Sequence, residues 1–240
     1  MNPEMRAEKP YSTRPTEALP RMPTDNEKFV TFMNMVFELG PGVVVPRTET
    51  ELLATVCVER LAQGQIGPIV IDMRCGCGNL SVVVAKHIED AQVWACDLAP
   101  ETVELAWRNV MRFELQRRVS IVQGDMFENI RNIGLEGKVD LVLCSLPSSS
   151  DSQAEADDGP RLDRERTGTF EDDSFQQRLI DEAPDFLKPK GWLAFEFGEG
   201  QERQAAAMLS RTRSYAPVQL ILDPSGSPRV ALAMKLAAIQ

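Results

Sequence analysis

From residue 67 onward, short apolar runs alternate with stretches in which apolar residues recur every three or four positions. Apolar runs bounded by turn residues read as buried strands, and the 3.6-residue period reads as helix. The pattern predicts strands near 68–73, 92–97, 119–123, 139–145, 191–197, 217–222 and 229–235. Helices are predicted near 79–88, 101–116, 174–187 and 200–211. Such alternation implies a doubly wound α/β fold with a mostly parallel sheet covered on both faces. Only Asp223-Pro224-Ser225-Gly226-Ser227-Pro228 separates the last two strands, which predicts a C-terminal antiparallel hairpin.

The N-terminal part is organised differently. Residues 1–23 carry Pro3, Pro10, Pro15, Pro20 and Pro23 with few large apolar side chains, and read as a flexible arm. Phe29, Phe32, Met33, Val36 and Phe37 recur at helical spacing, with Thr24 and Glu27 at capping-box spacing before them and Gly40 after. That predicts a short helix. Pro41 to Pro46 reads as an extended piece whose prolines keep it out of a central strand. Thr48-Glu49-Thr50-Glu51 repeats the capping-box spacing ahead of Leu52, Leu53, Val56 and Leu61, predicting a helix up to Gly64. Residues 24–66 are thus a short helical and extended segment before a main domain at 67–240. Within that domain, 148–173 holds nine acidic residues against three arginines. Loops of this length in compact domains are commonly functional, and this one is read as a lid.

The chain of 240 residues is long enough to bury a full core. A formal net charge of −10 argues against nucleic acid as a ligand, since phosphate binding needs a cationic face. No apolar run approaches the roughly 18 residues of a membrane helix, and the charged, proline-containing N-terminus does not read as a secretory signal. Five cysteines, an odd number, fit reduced thiols in a cytoplasm better than a disulfide frame. Cys75-x-Cys77 with Cys96 or Cys144 lacks the two separated pairs typical of zinc sites, so no metal is expected. His87 is the single histidine and reads as structural.

The most informative stretch is Ile69-Val70-Ile71-Asp72-Met73-Arg74-Cys75-Gly76-Cys77-Gly78-Asn79. An apolar strand runs into a glycine turn that opens a helix, and the next strand ends in Asp97. A nucleotide-like cofactor is held this way, with a carboxylate for its ribose. Gly76-x-Gly78 is followed by Ser81 where a dinucleotide fold would place a third glycine, so a pyrophosphate cradle is poorly supported. Asp125 follows the third strand. Three successive strand ends then deliver a glycine turn and two carboxylates to one edge, suiting a ligand with an adenine, a ribose diol and an amino-acid moiety.

These residues resemble the class I S-adenosylmethionine (SAM) methyltransferases, whose sheet is Rossmann-like and seven-stranded. Within them the chain is similar to the HemK/PrmC family, which methylates the glutamine side-chain amide of peptide-release factors. Pro46-Arg47-Thr48-Glu49-Thr50-Glu51-Leu52 is similar to that family's P-R-P-E-T-E-L, and Asp72 to Gly78 to its D-x-G-x-G-x-G. Gln123-Gly124-Asp125-Met126-Phe127 is similar to Q-G-D-x-F, and Val139 to Cys144 to the strand before N-P-P-Y. Leu187 to Trp192, Glu196-x-Gly198 and Arg229-Val230-x-Leu232-Ala233 match later strands. The resemblance implies SAM as cofactor. Asp72 and the turn Arg74, Cys75, Gly76, Cys77 and Gly78 would face its methionine part. Asp97 with Leu98 would bind the ribose, Asp125 and Met126 would flank the adenine, and Ser145 would lie beside the methyl.

Three positions depart from the family. Arg74 stands at its first turn glycine. Its N-P-P-Y reads Ser145-Leu146-Pro147-Ser148 here, and serine cannot offer the paired donor and acceptor of an asparagine amide. Its N-terminal helical substrate domain is represented by the residues before Pro46, read as about one helix. Ser145, Pro147 and Ser148 are therefore the candidate catalytic residues, with Arg47, Glu49, Glu51 and Leu146 as candidates for the acceptor. Because these changes fall mainly on the acceptor side, the expectation is methyl transfer to a small molecule, with an amine-bearing one suited to the acidic lid. The alternatives are aminocarboxypropyl transfer or SAM cyclisation on the same fold, the family's protein-glutamine methylation, and a non-catalytic SAM-binding module.

Overall fold

The central strands are apolar on both faces because helices cover both. The computed structural model describes residues 28–40, 43–64, 66–131, 133–145 and 169–237. Seven strands form the main sheet: β3 (Ile69–Met73), β4 (Gln92–Asp97), β5 (Val119–Gln123), β6 (Val139–Cys144), β7 (Leu187–Glu196), β8 (Gln219–Leu222) and β9 (Pro228–Met234). Their order is β5-β4-β3-β6-β7-β9-β8. Pairing is parallel from β5 to β7, and β9 lies antiparallel between β7 and β8. The expected architecture and its C-terminal hairpin are both present.

Period-two alternation sorts the strand residues between two cores. Val70, Val93, Leu141 and Leu143 pack with α1 (Thr48–Ala62), α2 (Asn79–His87) and α3 (Pro100–Arg112). Ile71, Cys96 and Val142 pack on the other face with α4 (Glu128–Arg131), α5 (Thr169–Phe186) and α6 (Glu202–Thr212). Fully burying each such side chain contributes roughly 1.5–3 kcal/mol before chain entropy is subtracted. Pro100 opens α3, where its missing N–H costs nothing and its fixed φ suits the first turn.

The largest correction to the sequence reading lies at residues 29–37. They form no helix but an antiparallel hairpin of β1 (Lys28–Phe32) and β2 (Met35–Leu39). Met33 and Asn34 both have positive φ (46° and 61°), the condition for a two-residue hairpin turn that matches strand twist. Phe32 and Phe37 are buried and meet edge to face, while Phe29 and Val36 remain exposed on the other side of the ribbon. Helical spacing fits these residues only because it also divides between the two faces of a hairpin.

The hairpin is docked by polar anchors. Asn109 of α3 is fully buried; its Oδ1 accepts the Glu38 N–H at 2.9 Å and its Nδ2 donates to the Glu38 carbonyl at 2.9 Å. Arg108 donates to the Glu38 carboxylate through Nε (2.9 Å) and Nη2 (2.6 Å). The expected capping box at Thr48 is absent. Arg47 is the N-cap without a side-chain cap bond, and Glu51 instead accepts the Met33 N–H at 3.0 Å.

Two further boundaries move. Residues 169–173, read as the end of a loop, belong to α5. Strand β7 starts at Leu187, earlier than expected, with a register irregularity opposite Val139 and Leu141. The Thr24–Glu27 cap, the N-terminal arm and the lid across 148–168 lie outside the described residues.

Candidate active site

Strand order reverses around β3, whose two neighbours β4 and β6 lead the chain to opposite sides of the sheet. In open α/β sheets, the crevice beyond the carboxyl ends at such a switch point is where ligands bind. A cleft of about 780 Å³, open mouth included, lies there. Its walls come from the extended stretch Val43 to Arg47, the turn after β3, Asp97 at the end of β4, Ser145 after β6 and Glu196 at the end of β7.

The turn is built by backbone geometry. Arg74, Gly76 and Gly78 all have positive φ (58°, 55° and 79°). The Cys75 N–H bonds the Cys96 carbonyl (2.9 Å), and the Gly78 N–H bonds the Cys75 carbonyl (2.8 Å). A Cβ on Gly78 would stand 3.3 Å from the Cβ of Ala106, so a glycine lets α3 approach. Arg74 thus keeps the backbone shape of the glycine it replaces, at a cost of about 1–2 kcal/mol for a left-handed residue with a Cβ. Its guanidinium lies 4.9 Å from the centre of the Phe175 ring of α5. Asn109, which docks the hairpin, also donates to the Cys77 carbonyl at 2.9 Å, tying hairpin, α3 and turn together.

Asp97 is half-buried; Oδ2 accepts the Gly76 N–H at 3.1 Å and Oδ1 the Ala99 N–H at 3.3 Å. Burial raises its pKa, opposed by those backbone donors and by the charge of Arg74. Asp72 sits beneath the turn, fully buried, accepting the Ser81 hydroxyl at 2.5 Å. Burial pushes its carboxyl up to about 7, against the lowering effect of Ser81. All five cysteines are buried free thiols, and burial pushes those of Cys75, Cys77, Cys96 and Cys144 upward, away from nucleophilic thiolate chemistry.

The side of the cleft formed by β6 and β7 shows what the sequence reading missed. In the parallel register, Cys144 stands opposite Phe195, so the next pair is Ser145 and Glu196. The Ser145 hydroxyl donates to Glu196 Oε1 at 2.7 Å. Glu196 is 3 % exposed, and its Oε2 has no hydrogen-bond partner among the described residues. Burial raises its pKa, opposed by Ser145, Thr50 and Arg47. Asn79 Nδ2 likewise lacks a partner among the described residues and lines the same cleft. The signal for Glu196 was available, a carboxylate closing an apolar strand in Glu196-x-Gly198, but nothing local marked its neighbour.

Among the expected cofactor and acceptor residues, the cleft gathers Arg47, Arg74, Cys75, Gly76, Cys77, Asp97 and Ser145. Others lie off its walls. Leu98 is largely exposed, Met126 is buried, and Asp125 is half-exposed in an ion pair with Arg178 (3.0 Å). Glu49 is not on the wall, Glu51 is committed to the hairpin, and Gly78 and Asp72 support the turn from behind. Leu146, Pro147 and Ser148 lie outside the described residues.

A family model described as a methyltransferase domain matches residues 67–226. The chain belongs to this family, and it is a SAM-dependent methyltransferase. It is 30% identical over 200 residues to the release factor glutamine methyltransferase of Thermosynechococcus vestitus, covering 80% of this chain and 67% of that one. To the enzyme of the same name from Geobacter sulfurreducens it is 29% identical over 203 residues, covering 83% and 68%. Among solved structures, a methyltransferase from Pyrococcus furiosus shares the fold, with a TM-score of 0.58 at 18% identity, covering 84% of this chain and 89% of that one. No helix among the described residues is long and apolar enough to cross a membrane.

The residues fit the methyl donor that the family implies. SAM carries a ribose diol, an ammonium, a carboxylate and a sulfonium. The cleft offers the Asp97 carboxylate, the Asn79 Nδ2 that has no partner among the described residues, the Arg74 guanidinium and the close-lying main chain of the glycine turn.

Proposed function

We propose that this enzyme transfers the methyl group of SAM to the side-chain amide nitrogen of a glutamine in a protein partner. The relatives' shared acceptor supports this reading over the small-molecule acceptor expected from the altered N-P-P-Y motif. The observation that carries it is a single cleft in which a glycine turn held by Asp97 faces a corner of buried hydrogen-bonding groups, Ser145 and Glu196.

SAM supplies an electrophilic methyl on a sulfonium. The protein's part is alignment, because transfer to a poor nucleophile needs an in-line approach more than a strong base. Asp97 would hold the ribose while it fixes the turn through the Gly76 N–H. Arg74 and Asn79 would hold the amino-acid end. Ser145 and Glu196 would receive the acceptor amide from the side of β6 and β7.

Incubating the purified protein with release factor and methyl-labelled SAM tests the reading. Label on a glutamine of the release factor, with S-adenosylhomocysteine as the co-product, is expected. No label in the protein, or methylthioadenosine as the product, would overturn it.

A further inference from the structure

We propose that Glu196 is a catalytic residue, its Oε2, which has no hydrogen-bond partner among the described residues, accepting an N–H of the methyl-accepting nitrogen and taking that nitrogen's proton as the methyl arrives. This rests on the nitrogen-acceptor reading above and names the group that does the work.

A buried carboxylate oxygen with no donor costs about 1–3 kcal/mol or more, and where it faces a cleft a ligand's N–H can recover that cost. Glu196 is buried almost completely, yet it lies on the wall of the cleft. Its other oxygen is fixed by the Ser145 hydroxyl at 2.7 Å, which sets the direction of the carboxylate and leaves Oε2 for a ligand. The surrounding groups act on its charge: Ser145, Thr50 and Arg47 favour the ionised carboxylate, and Glu49 disfavours it.

Ser145 occupies the place where the resembling family has an asparagine, and here its hydroxyl is spent on Glu196. The acceptor for the substrate's N–H has thereby moved from β6 to the adjacent position on β7. Primary amides and amines present an N–H to such an oxygen; ethers and carbon acids do not.

The chemistry balances. The nitrogen lone pair forms the new N–C bond while the methyl–sulfur bond breaks, and its electron pair stays on sulfur, leaving a neutral thioether. The nitrogen, now positive, loses one proton to Glu196 Oε2, giving a neutral methylated nitrogen and a neutral carboxylic acid. That proton passes to water when product leaves. Burial, which disfavours the charged carboxylate, favours the proton's capture.

The test compares wild type, Glu196→Gln and Glu196→Ala on release factor and on a panel of amine and amide compounds, with methyl-labelled SAM. Calorimetric titration with S-adenosylhomocysteine and thermal melting run alongside. Glu196→Gln keeps an acceptor oxygen but cannot take a proton. Its kcat should fall by about 10²-fold or more, the scale of general acid–base catalysis, with KM for the acceptor within a few-fold. Glu196→Ala should lower kcat and raise KM for the acceptor, and in a separate binding titration it should bind a glutamine peptide more weakly in the presence of S-adenosylhomocysteine. Both variants should keep the wild-type affinity for S-adenosylhomocysteine within a few-fold. Wild-type kcat in Glu196→Gln overturns the assignment while leaving the glutamine reading intact. Label on a small amine but not on release factor, lost in Glu196→Gln, overturns the glutamine reading while Glu196 keeps its role. Label on no nitrogen acceptor overturns both.

Discussion

The two sides of the cleft are built from different materials. On the side of β3 and β4, the shape is set by main chain held in internal hydrogen bonds, Gly76 to Asp97, Cys75 to Cys96, and Cys77 to Asn109, which presents the side chains of Arg74, Asn79 and Asp97. On the side of β6 and β7, the site rests on two side chains, Ser145 and Glu196, one of which keeps an oxygen without a partner among the described residues. A backbone-made site tolerates sequence change, as Arg74 shows by adopting a glycine's conformation. A side-chain site changes its chemistry with each substitution, which is why the altered motif bears on the acceptor more than on the donor.

Asp97→Ala should break the donor side most sharply. It removes the carboxylate proposed to hold the ribose and the anchor of the Gly76 N–H. Charged hydrogen bonds of about 1.5–3 kcal/mol imply roughly 10- to 100-fold weaker SAM binding by calorimetry. An unchanged affinity would show that the backbone alone makes that side.

The buried support beneath the turn should show in a pH series. Asp72 is raised in the folded protein to about 7, whereas an unfolded aspartate titrates near 4. Between these values the folded state holds the extra proton, so this contribution is complete below about pH 4 and is lost as pH rises through 7. Asp72→Asn, which can still accept from Ser81, should flatten that part of the stability curve and gain most above pH 7. Denaturant melts at pH 5 and pH 8 would check it.

Asn109→Ala should loosen both the hairpin and the turn, since one side chain bonds Glu38 twice and Cys77 once. Leaving buried backbone groups unpaired predicts a loss of about 1–3 kcal/mol in denaturant melts. A smaller loss of SAM affinity should accompany it. If stability falls with binding untouched, the hairpin and the cleft are independent.

The smallest effect on stability is expected from Arg74→Gly. Relief of a left-handed backbone of about 1–2 kcal/mol offsets loss of a cation–π contact of about 0.5–1 kcal/mol, so melting should change little. Removing the positive charge should raise the Asp97 pKa further, which a carboxylate titration by NMR would report.

The sheet, its order of strands and helices, and the turn with Asp97 were legible because each is written locally. Runs such as Ile69–Met73 and Val139–Cys144 are apolar but for one aspartate each, and the strand-end residues follow in the chain itself. The hairpin was not legible. Phe29, Phe32, Phe37 and their neighbours fit a helical period, and Met33 in a positive-φ turn gives no warning, although Asn34 gave one. The sequence alone determined which residues are apolar and which strand ends carry polar groups. The tertiary structure decided that Glu196 lies beside Ser145, 51 positions away, and that burial leaves one of its oxygens without a partner among the described residues. Strand register and desolvation arise between segments distant in the chain, so no local pattern encodes them.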